Sequence, residues 1–186
     1  APGQLGGLPQ LDQLIGSLVE LARIEAGALM LTATWSSLRD VTNAAIKRAK
    51  NVLKENHVVI EMPETLPLMH IDARALSEVI YTLLDNARKY SPNGSLITIR
   101  AEAEKEAIRV SVHDEGAGIR ERDSARVFDK FYRVEDARSN ASGGLGIGLS
   151  IAKAIVEAHN GAIWVALNPG TKGTTLVFRI PVQKEQ

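Results

Sequence analysis

The chain has 186 residues, with 22 basic and 22 acidic side chains and no cysteine. That length suggests one domain, or one domain with an appendage. A zero net charge argues against a binder of nucleic-acid backbone, and the missing cysteines exclude disulfides and thiolate metal sites.

The opening residues are loop-like. Leu11, Leu14, Ile15, Leu18, Leu21 and Ala22 then recur at helical spacing, and Gly27 is a plausible stop. The stripe is too short for an independent coiled coil. It reads either as an amphipathic helix packed on its own domain or as the stub of a longer dimerising helix. Leu29 to Thr34 predicts a short strand, and Ser36 or Ser37 can cap a helix reaching about Glu55. His57 to Met62 and Leu68 to Ile71 read as strands. Asp72 caps a strong helix from Ala73 to Tyr90, with Leu76, Val79, Ile80, Leu83, Leu84 and Ala87 as its core stripe. Two alternating segments, from Leu96 to Ala103 and from Ile108 to His113, predict an antiparallel hairpin. A polar, glycine-punctuated stretch follows from Asp114 to about Gly144, with a short helix near Arg122 to Phe128. A loop of that size in a compact domain usually serves as a lid or binding loop. Ile147 to Ala158 reads as a helix, and Ala162 to Leu167 and Thr175 to Val182 as closing strands.

Four clusters could carry chemistry. On the polar face of the helix from Ala73 to Tyr90, Asn86 offers a neutral oxygen of the kind Mg²⁺ accepts. Lys89 could reach a phosphate, and Tyr90 could stack on a base. Taken alone, the face is ordinary solvated surface. Asp114-Glu115-Gly116-Ala117-Gly118 ends a strand: either a glycine-rich exit turn, or a place where Gly116 and Gly118 let backbone approach a flat ligand. A carboxylate at Asp114 would accept from an exocyclic amine, which favours adenine over guanine. Gly143 to Ser150 runs into a helix, and free N–H groups at a helix start suit an anion. The P-loop ending Gly-Lys-Ser/Thr is absent, and the dinucleotide fingerprint fails at its last glycine. Gly173-Thr174-Thr175 enters the final strand. Phe128 and Phe131 are candidate anchors of a polar lid, mobile without nucleotide over Ile119 to Ser142, with Arg133 as a phosphate contact.

In this order the clusters resemble the ATP-binding domain of sensor histidine kinases. That domain lies within the wider GHKL, or Bergerat, superfamily of DNA gyrase, MutL and the ninety-kilodalton heat-shock chaperones. Leu83 to Ser91 resembles the family's N box, Asp114 to Gly118 the G1 box, Phe128 to Phe131 the F box and Gly144 to Gly148 the G2 box. Leu11 to Gly27 is similar to the end of a histidine-bearing dimerisation domain. Trp35 and its neighbours are similar to KdpD-type sensor kinases.

The resemblance implies a two-layer α/β sandwich of the Bergerat type, a mixed sheet with helices on one face, preceded by a helix stub. It divides the chain into residues 1–28, a linker and helix end, and 29–186, the ATP-binding domain. It implies ATP and Mg²⁺ as cofactors, with Asn86 on the metal and Lys89 and Arg133 positioning the γ-phosphate. Tyr90, Asp114, Gly116, Gly118, Gly144, Gly146, Gly148, Leu149 and Thr174 would complete the nucleotide site. The implied partners are the histidine-bearing dimerisation domain, from the same or a partner subunit, and a response regulator; nucleic acid is not among them. No apolar run in the sequence is long enough for a membrane span. The reading is therefore a cytoplasmic fragment of a membrane-anchored parent.

Three departures stand out. Thr82 precedes Asn86 by four residues, where kinases often carry Asn, and where the gyrase-type ATPases carry a glutamate base. That disfavours hydrolysis. Leu145 replaces a small residue. None of His57, His70, His113 and His159 sits in a phosphoacceptor box, so the receiving histidine must lie on another segment. The alternative is an ATP-dependent interaction module, anti-sigma-like or a pseudokinase, that transfers nothing.

Overall fold

The computed structural model describes residues 8–134, 145–167 and 170–183, with side chains from Ile15 onward. Helix Leu8–Glu25 (α1) comes first. Strand Thr34–Ser36 (β1), helix Leu38–Ala49 (α2), strands His57–Glu61 (β2) and Met69–Ile71 (β3) and helix Ala73–Tyr90 (α3) follow. The chain continues with strands Leu96–Ala103 (β4) and Ala107–Asp114 (β5), helix Glu121–Ser124 (α4) and a 3-10 turn at Arg126–Phe128. It closes with helix Gly148–Ala158 (α5) and strands Ala162–Ala166 (β6) and Thr174–Pro181 (β7).

Five strands form one sheet in the order β2-β4-β5-β7-β6. Only β2 and β4 are parallel, joined by a crossover that contains α3; every other pairing is antiparallel. The alternation read in β4 and β5 becomes a buried face. Ile97 and Ile99 of β4, Val110 and Val112 of β5, and Leu176 and Phe178 of β7 join the core with the stripe of α3 and with Ile151, Ala152, Ile155 and Val156 of α5. The opposite face carries Arg100, Arg109 and Arg179, the last two side by side in register. This is the expected mixed sheet with helices on one face.

Two expected elements shift. Leu29 to Ala33 forms no strand; the pairing starts at Thr34, because β3 is only three residues long and faces Thr34–Ser36. Helix α2 stops at Ala49, where the N–H groups of Val52 and Leu53 both turn back to the Ala49 carbonyl. Buried Leu53 then holds that turn on the core. Helix α3 keeps its predicted limits, with Asp72 at its N-cap accepting from the Ala75 N–H at 2.9 Å.

Helix α1 packs against α5 and buries Leu21, with Ile24 partly covered. Ile15, Leu18 and Val19 on it stay exposed. Its last residue, Glu25, forms an ion pair with Lys130. Among the described residues no helix is long and apolar enough to cross a membrane.

Candidate nucleotide-binding site

The clusters read from the sequence converge along one side of α3. At one end, Thr82 meets α5: a Cβ placed on Gly148 would lie 3.3 Å from the Thr82 methyl group. At the other, a Cβ on Gly116 would lie 2.4 Å from the Tyr90 carbonyl oxygen, closer than atoms approach, so only glycine fits. Asn86 lies between, one turn from each. Its amide nitrogen donates to the Thr82 carbonyl at 2.9 Å, which fixes the amide plane.

Asp114 lies at the Tyr90 end of this face of α3, the candidate nucleotide groove. It is buried, 5% exposed. Its Oδ1 accepts from the Gly116 N–H at 2.7 Å and from the Thr174 N–H at 3.3 Å. Burial pushes its carboxyl above the ordinary range, although those two N–H groups, the nearby His113 and the Ser91 hydroxyl oppose the shift. Thr174 is buried beside it, paired in register across β5 and β7. Gly173 has φ of 100°, and a Cβ there would sit 1.6 Å from the Asp114 carbonyl oxygen. Gly118, with φ of 81°, packs on the Gly173 carbonyl. The strand-end glycines thus let three backbone segments close around one carboxylate.

The end expected to receive an anion is the start of α5. Gly146 has φ of 71°, and its carbonyl accepts from the Phe131 N–H at 2.9 Å. A Cβ on Gly146 would strike the Tyr132 carbonyl oxygen at 2.9 Å. Gly148 opens the helix, and Leu149 packs half-buried against the core. Gly144, expected in the same loop, lies outside the described residues.

Other expectations resolve differently. Lys89 pairs with Asp85 one turn back, at 2.5 Å, so it must leave that carboxylate to meet a phosphate. The i, i+4 spacing carried this signal. Tyr90 is half exposed, beside the groove. Phe128 is a buried anchor, but Phe131 is not: the residue is 61% exposed and its φ is 62°, a left-handed conformation that costs a bulky residue free energy. Of the expected lid over Ile119 to Ser142, residues 119–134 are described. Through Val134 it is pinned by buried Asp123, which accepts from the Tyr132 hydroxyl and from Arg120 Nε, both at 2.8 Å. These two bonds hold the Asp123 carboxyl below its usual range. Arg126 lies over the Tyr132 ring, 4.3 Å from its centre. Arg133 is exposed beyond this knot. Residues 135–142 lie outside the described residues.

Among the described residues no three His, Asp or Glu side chains converge on a metal-sized site. The neutral amide of Asn86 suits a Mg²⁺ ion that takes its remaining oxygens from phosphates and water.

A sequence profile of the family described as histidine kinase-, DNA gyrase B- and HSP90-like ATPase matches residues 71–184. Among curated proteins, the sensor histidine kinase WalK of Bacillus subtilis is 36% identical over 95% of this chain and 29% of its own length. The sensor protein KdpD of Clostridium acetobutylicum is 33% identical over 92% of this chain and 19% of its own. SenX3 of Mycobacterium tuberculosis, a sensor-like histidine kinase, is 34% identical over 92% and 42%. The chain therefore spans less than half the length of these relatives. Among solved structures, ShkA in complex with AMPPNP superposes with a TM-score of 0.82 at 22% identity, over 95% of this chain and 36% of that one. ThkA in complex with the response regulator TrrA gives 0.74 at 20%, over 98% and 53%. At those identities the structures speak to the fold alone.

Proposed function

We propose, from the premise that this chain belongs to the family of histidine kinase-, DNA gyrase B- and HSP90-like ATPases, that it binds ATP with Mg²⁺ and delivers the γ-phosphoryl group to a histidine on another segment. It is an ATP-binding catalytic domain of the sensor histidine kinase kind. The observation that carries the reading is the convergence along α3 of buried Asp114 and its glycines beside Tyr90 with the glycine-started helix α5 beside Thr82.

In this reading Asp114 accepts from the adenine amine, and Gly116 and Gly118 let the backbone lie close to the base. Tyr90 flanks the base. The N–H groups at the start of α5, reached through Gly146 and Gly148, receive the phosphates. Lys89 exchanges Asp85 for a phosphate oxygen, and Arg133 approaches from the other side. A Mg²⁺ ion held by Asn86 would neutralise phosphate charge. The protein's work is then positioning and charge stabilisation. A histidine nitrogen forms a bond to the γ-phosphorus as the bond to the β,γ-bridging oxygen breaks. ADP keeps the electron pair, and the ring proton leaves to solvent. The AMPPNP complex of the similar ShkA supports the nucleotide, and the complex of ThkA with TrrA supports a response regulator downstream.

Helix α1 is the end of the dimerisation domain in this reading, and residues 29–186 the catalytic domain. The parent protein is membrane-anchored, with this portion in the cytoplasm. Titration calorimetry with ATP and GTP, each with Mg²⁺, tests the site. ATP should bind and GTP should bind at least about tenfold more weakly. Equal affinities would remove the adenine assignment. Radiolabelled ATP should leave no acid-labile phosphate on this chain alone, and should label an added histidine-bearing helix pair in trans. Labelling of the chain itself would contradict the reading, and tight binding without transfer would favour an interaction module.

A further inference from the structure

Away from the groove, one buried histidine ties three parts of the chain together. His159 caps the C-terminal end of α5 and is 8% exposed. Its Nδ1 lies 2.8 Å from the Ile155 carbonyl oxygen, and its Nε2 lies 3.0 Å from the backbone nitrogen of Asp72. A carbonyl oxygen only accepts and an amide N–H only donates. Nδ1 therefore donates to the carbonyl and Nε2 accepts from the amide, so the two contacts orient the ring. Asp72 extends the tie. Its Oδ1 caps α3 through the Ala75 N–H, and its Oδ2 accepts from the Thr32 N–H at 2.8 Å. Thr32 lies in the segment that leads from α1 to β1.

The geometry makes this tie a hinge pin. Helices α3 and α5 run antiparallel: the end of α5 meets the start of α3 at His159, and the start of α5 meets the later part of α3 at Gly148 and Thr82. The nucleotide groove lies beside the second contact. Each helix is a rigid rod over that span, so a small change of angle at His159 shifts Gly148 relative to Asn86.

We propose that His159 is a positioning residue for nucleotide binding. Through Asp72 it sets the angle between α3 and α5 that the phosphates require, and it couples that angle to the segment leaving α1. The inference rests on the ATP reading above. It goes beyond it by naming where a movement of α1 would be felt in the groove.

The test uses the whole chain and amide hydrogen exchange read at Thr32 and Asp72, with and without AMPPNP and Mg²⁺. In the native protein AMPPNP should slow exchange at Thr32 by about fivefold or more, as expected for coupled sites. His159→Leu keeps most of the volume but neither hydrogen bond. It should lose the Thr32 response and bind AMPPNP about tenfold more weakly, while β4 and β5 stay protected. His159→Gln can donate to the Ile155 carbonyl and accept from the Asp72 N–H, so it should restore both properties. An unchanged Thr32 rate in native protein that binds AMPPNP would overturn the coupling, and that result stands even if His159→Leu fails to fold. A His159→Leu variant that binds and responds like the native chain would overturn the role of the ring. Absence of AMPPNP binding by the native chain would instead remove the ATP reading, and this inference with it.

Discussion

Asp114 shows how a group proposed to bind ligand can work against its own fold. Its carboxyl is raised by burial, so the folded chain binds a proton more readily than the unfolded one. Keeping Asp114 ionised therefore costs stability at neutral pH, and that cost is lost as pH falls through the raised folded pKa towards the unfolded value of 3.8. Asp114→Asn should leave thermal stability unchanged or improved, while weakening ATP binding by about 1–3 kcal/mol through the lost charge-assisted bond. ATP affinity should also fall on acidification at a pH above the 3.8 of an ordinary aspartate, and calorimetry across pH checks both. Two glycines separate backbone strain from steric exclusion. Gly173 and Gly170 both have positive φ, but an added Cβ meets backbone 1.6 Å away at the first and nothing within 4 Å at the second. Gly170→Ala should cost about 1 kcal/mol in urea unfolding, and Gly173→Ala markedly more. Near-equal losses would show that strand β5 can retreat from the turn.

At the scale of elements, α3 was legible because several signals agreed: a capping Asp72, a 3.6-period stripe and a Pro-Asn-Gly turn beyond its end. The β4–β5 hairpin was legible from alternation for the same reason. The strand expected at Leu29 to Thr34 had apolar residues but no partner long enough to receive it. Sequence shows propensity, and pairing is decided elsewhere in the chain. The segment after β5 hides its own anchor for a related reason. Its charge suggested exposure, yet Asp123 is buried because Tyr132 and Arg120 satisfy it, and no local pattern announces a pair nine residues apart. Likewise Phe128 and Phe131 are alike as letters, but the Gly146 carbonyl holds the second in a left-handed turn facing solvent. Tyr132→Phe should remove the hydroxyl from Asp123 and speed amide exchange across α4 and the following 3-10 turn, with little change in β5. Unchanged exchange there would mean that Phe128 and Val127 hold the segment by packing alone.

For the whole molecule, the candidate nucleotide site draws on both helices and on the turns at the ends of β5 and β7, so nucleotide should act on the stability of the entire unit. At ATP about one hundredfold above its Kd, binding adds about 2.7 kcal/mol to the folded state. For a chain of this size that is a rise in Tm of about 5–10 °C, readable by scanning calorimetry with Mg²⁺. A rise confined to local probes, with no change in Tm, would mean that the sheet and helices unfold separately. The strand order has a consequence for how the protein emerges from the ribosome. β7 leaves after β6, yet it lies between β5 and β6 in the sheet. A nascent chain that ends with β6 therefore leaves β6 unpaired and one edge of β5 open, and Asp114 has no Thr174 beside it. The pairing around Asp114 cannot assemble piecemeal during synthesis; it closes in one late step, when β7 is free to slide into the gap that the earlier strands have left.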